Sequence, residues 1–318
     1  MRFTLVIPVA PERDAEIIDS IKKLEYSRKE FHVVIVRGRN PSDNRNRGVD
    51  NALGKYIIFL DDDGVIEKDY LNKVDEFLFK HPEIDVIGGP QLTPKDDAGF
   101  AKISGYALSS YFGAYKISNR YSCNEENCDV DETCLTSANL ICKIDVMKNV
   151  KFDTKLFPGE DPKFIADCKK YEFKIGYSPE IILYHRRRPN ISGLIKQIFN
   201  YGKVRPQKES FFETLKMPFF FVPSLFLIYL IFLLGSVLIN PSITGNVIGI
   251  GSLNMFEFWW FLPLIVYIFL MIVFGIYDSI GNKDGKSFWK LIFIYPIIHL
   301  SYGAGMIWGY LKKGATTG

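Results

Sequence analysis

The chain has 318 residues, and its 39 Lys or Arg against 36 Asp or Glu give a formal net charge of +3. This near balance, without zinc-finger spacing or an aromatic-plus-basic repeat, argues against nucleic acid as a partner. The hydrophobic fraction of 47% averages two unlike parts, because charges crowd into residues 1–216 whereas 217–256 and 258–277 contain no Asp, Glu, Lys or Arg.

The N-terminal apolar run is expected to be a buried strand and not a signal peptide. It is short, Pro8 interrupts it, and charged residues follow at Glu12 and Arg13. Five cysteines in a domain without an export signal are expected to be reduced thiols. Both points place the N-terminal domain in the cytosol.

From residue 3 to about residue 88, short β-branched runs alternate with helical patterns. The predicted strands are 3–7, 31–36, 56–60 and 84–87, and the predicted helices are 17–24, 45–53 and 68–80. This alternation is typical of an α/β fold with a mostly parallel sheet flanked by helices. Open sheets of this kind bind ligands at the carboxyl ends of their strands, so the loops after Ile7, Val36 and Leu60 are expected to border one crevice.

Residues 89–135 are rich in Gly, Ser, Tyr and Asp, with a weak helical pattern over 100–112, and are interpreted as an insertion beside the crevice. A strand near 135–142, a helix after Asp161 and strands near 173–177 and 181–184 are predicted to follow. Cys123, Cys128 and Cys134 lack the paired spacing of a zinc site, so free thiols are expected there.

Residues 191–204 carry an amphipathic pattern, with Ile191, Leu194, Ile195 and Ile198 on one helical face. This suits a helix lying in the membrane interface, and the alternative is a surface helix packed on the sheet. Basic residues between 203 and 216 favour the interfacial interpretation and a cytosolic side.

The C-terminal part is predicted to hold membrane spans. Residues 219–238 and 258–277 each supply the roughly 20 apolar residues that a spanning helix needs. Residues 291–310 are also free of Asp, Glu, Lys and Arg, but contain Pro296 and several glycines. That third segment is either a span or a re-entrant hairpin, since a crossing would put Lys312 and Lys313 outside, against the positive-inside tendency. The predicted domains are 1–190, an interfacial helix and linker at 191–216, and a membrane region at 217–318.

Two acidic motifs are candidates for chemistry. Asp61, Asp62 and Asp63 follow a buried strand, and a divalent cation bridging to a diphosphate would neutralise such a cluster. Hard Mg²⁺ or Mn²⁺ suits oxygen ligands of this kind. Glu160 and Asp161 follow in a Gly/Pro loop that leads into a helix, where a carboxylate is also a good helix cap. A sugar transferase needs one carboxylate to deprotonate the acceptor hydroxyl, and this second loop would provide it.

The order and spacing of several motifs over about residues 3–205 resemble the family 2 glycosyltransferases of the GT-A fold. The motifs are Ile7-Pro-Val9, Arg45-Asn-Arg-Gly48, Ala52 to Asp63, Ser137-Ala-Asn-Leu-Ile141, Gly159-Glu-Asp161 and Tyr184-His-Arg-Arg-Arg188. Segments 86–90, 104–113 and 197–202 further resemble succinoglycan-type glucosyltransferases, which are membrane-anchored enzymes of exopolysaccharide assembly.

The resemblance implies a DXD motif at Asp61 and Asp63, with Asp63 the main ligand of Mn²⁺ or Mg²⁺ and His185 completing the metal site. It implies that Asp161 is the catalytic base of an inverting transfer, with Glu160 beside it. Contacts to the diphosphate or the acceptor are implied for a basic and polar set: Arg186, Arg187, Arg188, Gln197 and Tyr201.

The resemblance also implies a set of nucleotide-sugar-binding residues, namely Pro8, Ala10, Glu12, Arg37, Arg45, Asp61 and Asp62. Relatives commonly have an acidic turn that reads uridine after the second strand, where this chain has Arg37 and Arg39. A UDP-sugar is the expected donor, and Arg37 or Arg39 stands in place of that acidic contact.

Together these observations predict an integral membrane enzyme whose catalytic domain faces the cytosol. It would transfer one sugar from a nucleotide diphosphate sugar to a lipid-linked acceptor, in glycan or exopolysaccharide assembly. Two alternatives are a polyprenyl-phosphate sugar synthase, which needs a cationic acceptor pocket, and a catalytically silent membrane scaffold. A processive synthase fits less well, because Gln197 is not followed by the Arg-Trp pair of that class.

Overall fold

The structure is a computed structural model that describes residues 1–239 and 255–316. The chain divides into two compact units, Met1–Pro189 and Asn190–Gly318. The turn-rich segment 240–246, which the sequence predicts to link the first two membrane helices, lies outside the described residues.

A six-stranded sheet forms the centre of the first unit. Its strands, in chain order, are β1 Phe3–Val9, β2 Phe31–Arg37, β3 Tyr56–Leu60, β5 Val86–Gly88, β7 Asn139–Lys143 and β8 Ile175–Tyr177. Their spatial order is β2-β1-β3-β7-β5-β8. The β2-β1-β3 pairs are parallel, as is β5-β8, whereas β7 runs antiparallel to both of its neighbours.

The α/β prediction is confirmed, and the sheet is mixed at β7. The strand order explains why the sequences of β1 and β3 are continuous apolar runs. Both strands are central in the sheet, and core side chains cover both of their faces. Leu5 and Ile58 contribute to the core on one face, and Val6, Ile57 and Phe59 to the core on the other.

Helices and turns connect the strands of the first unit. They are α1 Ile18–Ile21, α2 Pro41–Asp50, α3 Tyr70–Lys80, α4 Gly99–Ser109, α5 Tyr111–Ala114, a 3-10 helix Tyr115–Arg120, α6 Ile144–Asn149 and α7 Glu160–Lys170. The helix predicted at 45–53 instead begins at Pro41, because the Asn40 side chain accepts a hydrogen bond from the Asp43 backbone N–H (3.2 Å) and Pro41 occupies the first turn. The helix predicted at 17–24 shortens to one turn, and the strand predicted at 135–142 begins at Asn139.

A second, three-stranded sheet lies beside the acidic triplet. Its strands are β4 Gly64–Ile66, β6 Gln91–Leu92 and β9 Leu183–His185, in the order β4-β9-β6. Gly64 pairs with His185 in antiparallel register. This pairing brings His185 to the turn that carries the acidic triplet.

The second unit is helical in the described residues. It contains α8 Ile191–Lys208, α9 Phe211–Thr214, a 3-10 helix Pro218–Phe221, α10 Val222–Ile239, α11 Met255–Gly281 and α12 Ser287–Thr316. Within residues 1–239 and 255–316, three helices are long and apolar enough to cross a membrane: Pro218–Ile239, Trp259–Gly281 and Ser287–Lys313. The two spans predicted first therefore correspond to long apolar helices. The third segment is one continuous helix and not a hairpin.

Helix α8 packs closely against α12. The apolar face of α8 is only partly buried. Leu194 and Ile198 are buried, whereas Ile191 and Ile195 remain exposed. Glycines make this approach possible: a Cβ at Gly305 would lie 2.0 Å from the Phe199 carbonyl oxygen, and one at Gly202 would lie 2.2 Å from that of Tyr302. The glycines that made segment 291–310 look irregular are thus helix-packing residues.

Candidate active site

The three aspartates at the end of β3 point to different partners. Asp61 accepts a hydrogen bond from Arg45 Nη2 at 3.0 Å. Asp62 Oδ1 lies 3.2 Å from Arg13 Nη1, and Asp63 Oδ2 accepts from Arg13 Nη2 at 2.7 Å. The second oxygen of Asp63 lies 3.1 Å from His185 Nε2. Cations therefore compensate the whole triplet.

Arg45 joins the two acidic motifs. Helix α2 presents it, and its side chain is 5% exposed, with the guanidinium 5.4 Å from the Phe152 ring centroid. Nη2 bonds to Asp61, and Nη1 donates to Glu160 Oε1 at 3.1 Å. The two carboxylate loops, distant in sequence, thus meet in one site.

Glu160 and Asp161 begin α7, and they have different surroundings. Gly159 precedes them at φ 123°, a conformation that suits glycine, and its backbone N–H donates to Glu160 Oε2 at 3.0 Å. Glu160 is buried, whereas Asp161 is half-buried and accepts a hydrogen bond from the Ser137 hydroxyl. Asp161 is therefore the more accessible carboxylate of the pair, in an orientation that Ser137 restrains.

Burial raises the pKa of three carboxyl groups at the site. It raises the pKa of Asp62 to about 6. The pKa of Glu160 is raised to about 7 by burial and by the neighbouring Asp161. Burial also raises the pKa of Asp61, although Arg45 opposes the shift.

Asp63 behaves differently from its neighbours. Burial alone would raise its pKa, but hydrogen bonds and charge from His185 and Arg13 outweigh burial and hold the pKa well below its ordinary value. Asp63 is therefore the carboxylate of the triplet that stays ionised most readily, a property suited to a cation ligand.

Asp61, Asp63 and His185 could hold a divalent metal ion. One donor atom of each lies within 4.8 Å of the others. Two ligands of Mg²⁺ stand at most roughly 4.2 Å apart, twice the roughly 2.1 Å metal–oxygen distance, so a small side-chain movement is enough. His185 Nε2, which lies 3.1 Å from one oxygen of Asp63, adds a nitrogen donor to the two carboxylates. The residues fit a divalent cation.

The expected nucleotide-sugar residues lie in and after the first two strands, as well as at Arg45 and the triplet. Pro8 is part of β1, and Ala10 and Glu12 follow it. Arg37 ends β2, and its Nη1 donates to the Arg13 carbonyl oxygen at 2.8 Å. The loops after β1 and β2 are therefore joined through Arg13.

Sequence reasoning missed two residues of this site, Arg13 and Ser137. The sequence identifies Arg13 only as a charged residue that follows the N-terminal apolar run, and Ser137 only as part of a motif. A signal for Arg13 was available, because a cation in the loop after β1 faces the loop after the neighbouring parallel strand β3.

The Arg186–Arg188 cluster has protein partners at its first two members. Arg186 bonds to Asp96 and Asp97, each at 2.8 Å. Arg187 is buried, donates to Thr93 Oγ1 at 3.1 Å, and lies 4.7 Å from the Tyr121 ring centroid. Arg188 is exposed.

The last two predicted site residues belong to the second unit. Gln197 and Tyr201 lie on α8, where Gln197 Nε2 donates to the Tyr201 hydroxyl at 2.9 Å. The diphosphate or acceptor roles of these two residues stay predictions.

Known proteins resemble the chain in sequence and fold. Residues 10–140 match the profile of glycosyl transferase family 2. The minor teichoic acid biosynthesis protein GgaB of Bacillus subtilis (strain 168) is 26% identical over 187 residues, which are 56% of this chain and 20% of GgaB. The uncharacterized glycosyltransferase MJ1057 of Methanocaldococcus jannaschii is 24% identical over 219 residues, 67% of each chain.

A solved structure shares the fold. The mannosyltransferase PcManGT from Pyrobaculum calidifontis, in complex with GDP-Man and Mn²⁺, superposes with a TM-score of 0.55 at 12% identity, covering 98% of this chain and 88% of that one. The match to GgaB spans only a fifth of that protein.

Proposed function

We propose that the chain is a family 2 glycosyltransferase, as the match of residues 10–140 to that family's profile supports, and that it moves a single sugar from a nucleotide diphosphate sugar to a lipid-linked acceptor. The transfer inverts the anomeric carbon and takes place at the cytosolic face of a membrane. A UDP-sugar is the proposed donor, and glycan or exopolysaccharide assembly the proposed setting. Closeness to the succinoglycan-type glucosyltransferases stays a prediction.

The observation that carries the proposal is the meeting of the two acidic motifs at Arg45. A glycosyl transfer needs a positive centre beside the leaving diphosphate and a carboxylate beside the incoming hydroxyl. Arg45 bonds to Asp61 of the first motif and to Glu160 of the second. Asp161, next to Glu160, is thereby held within the same site.

Asp161 is the proposed base. It is more exposed than Glu160, and the Ser137 hydroxyl orients its carboxylate. Glu160 is engaged by Arg45 and by the Gly159 backbone N–H, so its role is to position Arg45 and not to accept a proton. As the acceptor oxygen attacks the anomeric carbon, its proton passes to Asp161, and the bond to the diphosphate breaks.

Asp61, Asp63 and His185 are the proposed holders of Mn²⁺ or Mg²⁺. When bound, such an ion would neutralise charge on the diphosphate leaving group. Mn²⁺ accompanies GDP-Man in the mannosyltransferase that shares the fold, which supports a metal. The Arg13 guanidinium forms ion pairs with Asp62 and Asp63. In the proposed reaction it rotates away from them to contact the diphosphate.

The apolar helices support a lipid-linked acceptor. Pro218–Ile239 and Trp259–Gly281 have mean hydropathies of 2.5 and 2.4 and are mostly unburied within the protein. Such surfaces suit lipid, and an enzyme with soluble acceptors has little need of them. The synthase alternative gains less support, since Arg186 and Arg187 are engaged by protein groups.

The test uses detergent-purified full-length protein with Mn²⁺, a panel of nucleotide sugars and a lipid extract. Release of nucleoside diphosphate is measured, together with the mass of the lipid product. We expect Asp161→Asn to lower the rate by about 10²- to 10⁴-fold, the usual contribution of a general base, and Asp63→Ala to abolish metal-dependent release.

A matched control is Asp145→Asn, since Asp145 is an exposed aspartate whose partner is Lys148, on α6. Its rate is expected to equal that of the wild type. Equal release by all three variants would refute the catalytic assignment. Product that grows by many sugars would refute single addition.

A further inference from the structure

A second cluster of metal-binding side-chain types lies where α3 ends. His81 directly follows α3, Glu83 lies in the turn toward β5, and Cys128 belongs to the insertion. One donor atom of each lies within 4.8 Å of the others. None of these three residues belongs to the site built around Arg45.

The separations at His81 match those around a tetrahedral zinc ion. His81 Nδ1 lies 3.4 Å from Cys128 Sγ and 3.7 Å from Glu83 Oε1. With Zn–N and Zn–O of about 2.0 Å and Zn–S of about 2.3 Å, tetrahedral angles place N and S about 3.5 Å apart and N and O about 3.3 Å apart. The two separations from His81 Nδ1 are therefore already close to those of zinc ligands, and the Cys128 and Glu83 donors lie within 4.8 Å of each other.

The other nitrogen of the His81 ring has a partner of its own. His81 Nε2 lies 3.0 Å from Glu126 Oε1, and Lys80 also contacts Glu126. A carboxylate that accepts a hydrogen bond from one ring N–H leaves the lone pair of the other nitrogen free to bind metal, an arrangement that accompanies most zinc-bound histidines. Here that other nitrogen is Nδ1, which faces Cys128 and Glu83.

Main-chain hydrogen bonds hold Cys128 in place on both sides. Asn127 exchanges backbone hydrogen bonds with Tyr177 at 3.1 and 2.7 Å, and the Val130 backbone N–H donates to the Ile175 carbonyl at 3.1 Å. The thiol position is therefore set by its attachment to β8, so binding a cation would require little ordering of this segment.

The cluster opens onto a cavity of about 480 Å³, which Glu83 and Cys128 line together with Asp129 and Lys169. This leaves room for a water molecule as a fourth ligand. Glu83 and Glu126 lie beside the His81 ring, Lys80 contacts Glu126, and Lys169 and Lys174 line the cavity together with Asp129 and Glu172. The two carboxylates next to His81 supply negative charge at the point where the cation would bind.

From these contacts we propose that His81 Nδ1, Cys128 Sγ and Glu83 bind Zn²⁺, with Glu126 orienting the His81 ring. A mixed set of nitrogen, sulfur and oxygen donors selects zinc over Mg²⁺, which prefers oxygen. The ion takes the place of the S–H···Nδ1 contact, and the thiol proton is released to solvent. Zinc bound in this way cross-links the insertion, through Cys128, to the C-terminal end of α3, through His81.

The probe is Co²⁺, a spectroscopic substitute for Zn²⁺, added to metal-free full-length protein in detergent. Thiolate ligation gives an intense ultraviolet charge-transfer band, which the oxygen and nitrogen donors of Asp61, Asp63 and His185 do not produce. We expect one equivalent of Co²⁺ to develop the band, and one equivalent of Zn²⁺ to remove it.

Variants decide which residues bind the cation. Cys128→Ser and His81→Gln are expected to lose the band, whereas Cys123→Ser, which alters an exposed cysteine of the same insertion, is expected to keep it. Asp63→Ala should also keep it, so failure of the proposed glycosyltransferase metal site leaves this test intact.

Folding of each variant is checked by its metal-free unfolding midpoint. In the Asp63→Ala background, which removes the other proposed cation site, Zn²⁺ should raise the midpoint of Cys123→Ser and leave that of Cys128→Ser unchanged. Absence of the band in the wild type, or its survival in folded Cys128→Ser, would show that the thiol and His81 form only a hydrogen bond and would overturn the proposal.

Discussion

Arg45 Nη1 lies 3.1 Å from Glu160 Oε1, across 115 residues of sequence, and both side chains are 5% exposed. The same guanidinium bonds to Asp61. A buried cation shared by two acidic loops makes the site a single unit, in which loss of the cation leaves unpaired carboxylates on both loops.

We therefore expect Arg45→Met to destabilise the protein by about 3–5 kcal/mol, the usual effect of removing one partner of a buried ion pair. The double variant Arg45→Met with Glu160→Gln should lose less, because one stranded charge is gone. Thermal unfolding in detergent measures both. A double variant as unstable as the single one would show that the Arg45–Glu160 pair is not the main loss.

The unfolding midpoint should depend on pH through Glu160. Burial and Asp161 raise the pKa of Glu160 from 4.5 to about 7. Between these values the folded state keeps a proton that the unfolded state has lost, so stability falls as pH rises through this window. In metal-free protein, Glu160→Gln should weaken the pH dependence of the unfolding midpoint in this window. A difference in midpoint between wild type and variant that stays constant from pH 4.5 to 7 would contradict the raised pKa of Glu160.

Metal affinity should distinguish neighbouring aspartates. Calorimetric titration with Mn²⁺ is expected to show at least about tenfold weaker binding, or 1.4 kcal/mol, for Asp63→Ala and for His185→Gln. Asp62→Asn is the matched control, because Asp62 faces Arg13 and does not belong to the metal-binding group. Equal losses in all three variants would point to general electrostatics instead of ligation.

Arg13 should compete with the metal for Asp63. Its guanidinium bonds to Asp63 Oδ2 at 2.7 Å, and its side chain is half exposed. An exposed pair of this kind is worth at most about 1 kcal/mol, so Arg13→Gln should tighten Mn²⁺ binding by about two- to fivefold in the same titration. Weaker binding would mean that Arg13 assists the cation site.

Close helix packing in the second unit gives a further prediction. Gly305→Ala places a methyl group against the Phe199 carbonyl oxygen, and overpacking of this kind costs roughly 1–3 kcal/mol. The thermal midpoint in detergent should fall. Gly235→Ala is the control, since a Cβ there meets no atom of residues 1–239 or 255–316 within 4 Å, and an equal fall in both variants would exclude helix contact as the cause.

Several elements of the first unit followed directly from local sequence patterns. The central strands β1 and β3 read as continuous apolar runs because both of their faces are covered. The acidic triplet was recognised as a site candidate for a related reason, since it follows such a strand directly. Helix α2 begins at Pro41, four residues before the predicted start at Arg45, because capping by Asn40 sets its first residue. Hydrophobic periodicity does not report on such a cap.

Other features were beyond local patterns. Strand β7 is antiparallel to its neighbours. Its own five residues do not indicate whether it pairs in a parallel or an antiparallel sense. Sequence spacing relates Cys128 only to Cys123 and Cys134 of its own loop, whereas its side-chain contact is His81, 47 residues away. Spacing between cysteines says nothing about a partner supplied by a different element.

The sequence by itself determined the division into a polar α/β part and apolar helices, as well as the location of acidic residues after a buried strand. These features depend on periodicity and composition, which act within a few turns of the chain. The tertiary structure decided which cation meets which carboxylate: Arg45 between Asp61 and Glu160, and Arg13 on Asp63. A direct ion pair requires its charged atoms to lie within about 4 Å of each other, so it depends on the approach of distant segments, which only the packed sheet and its loops establish.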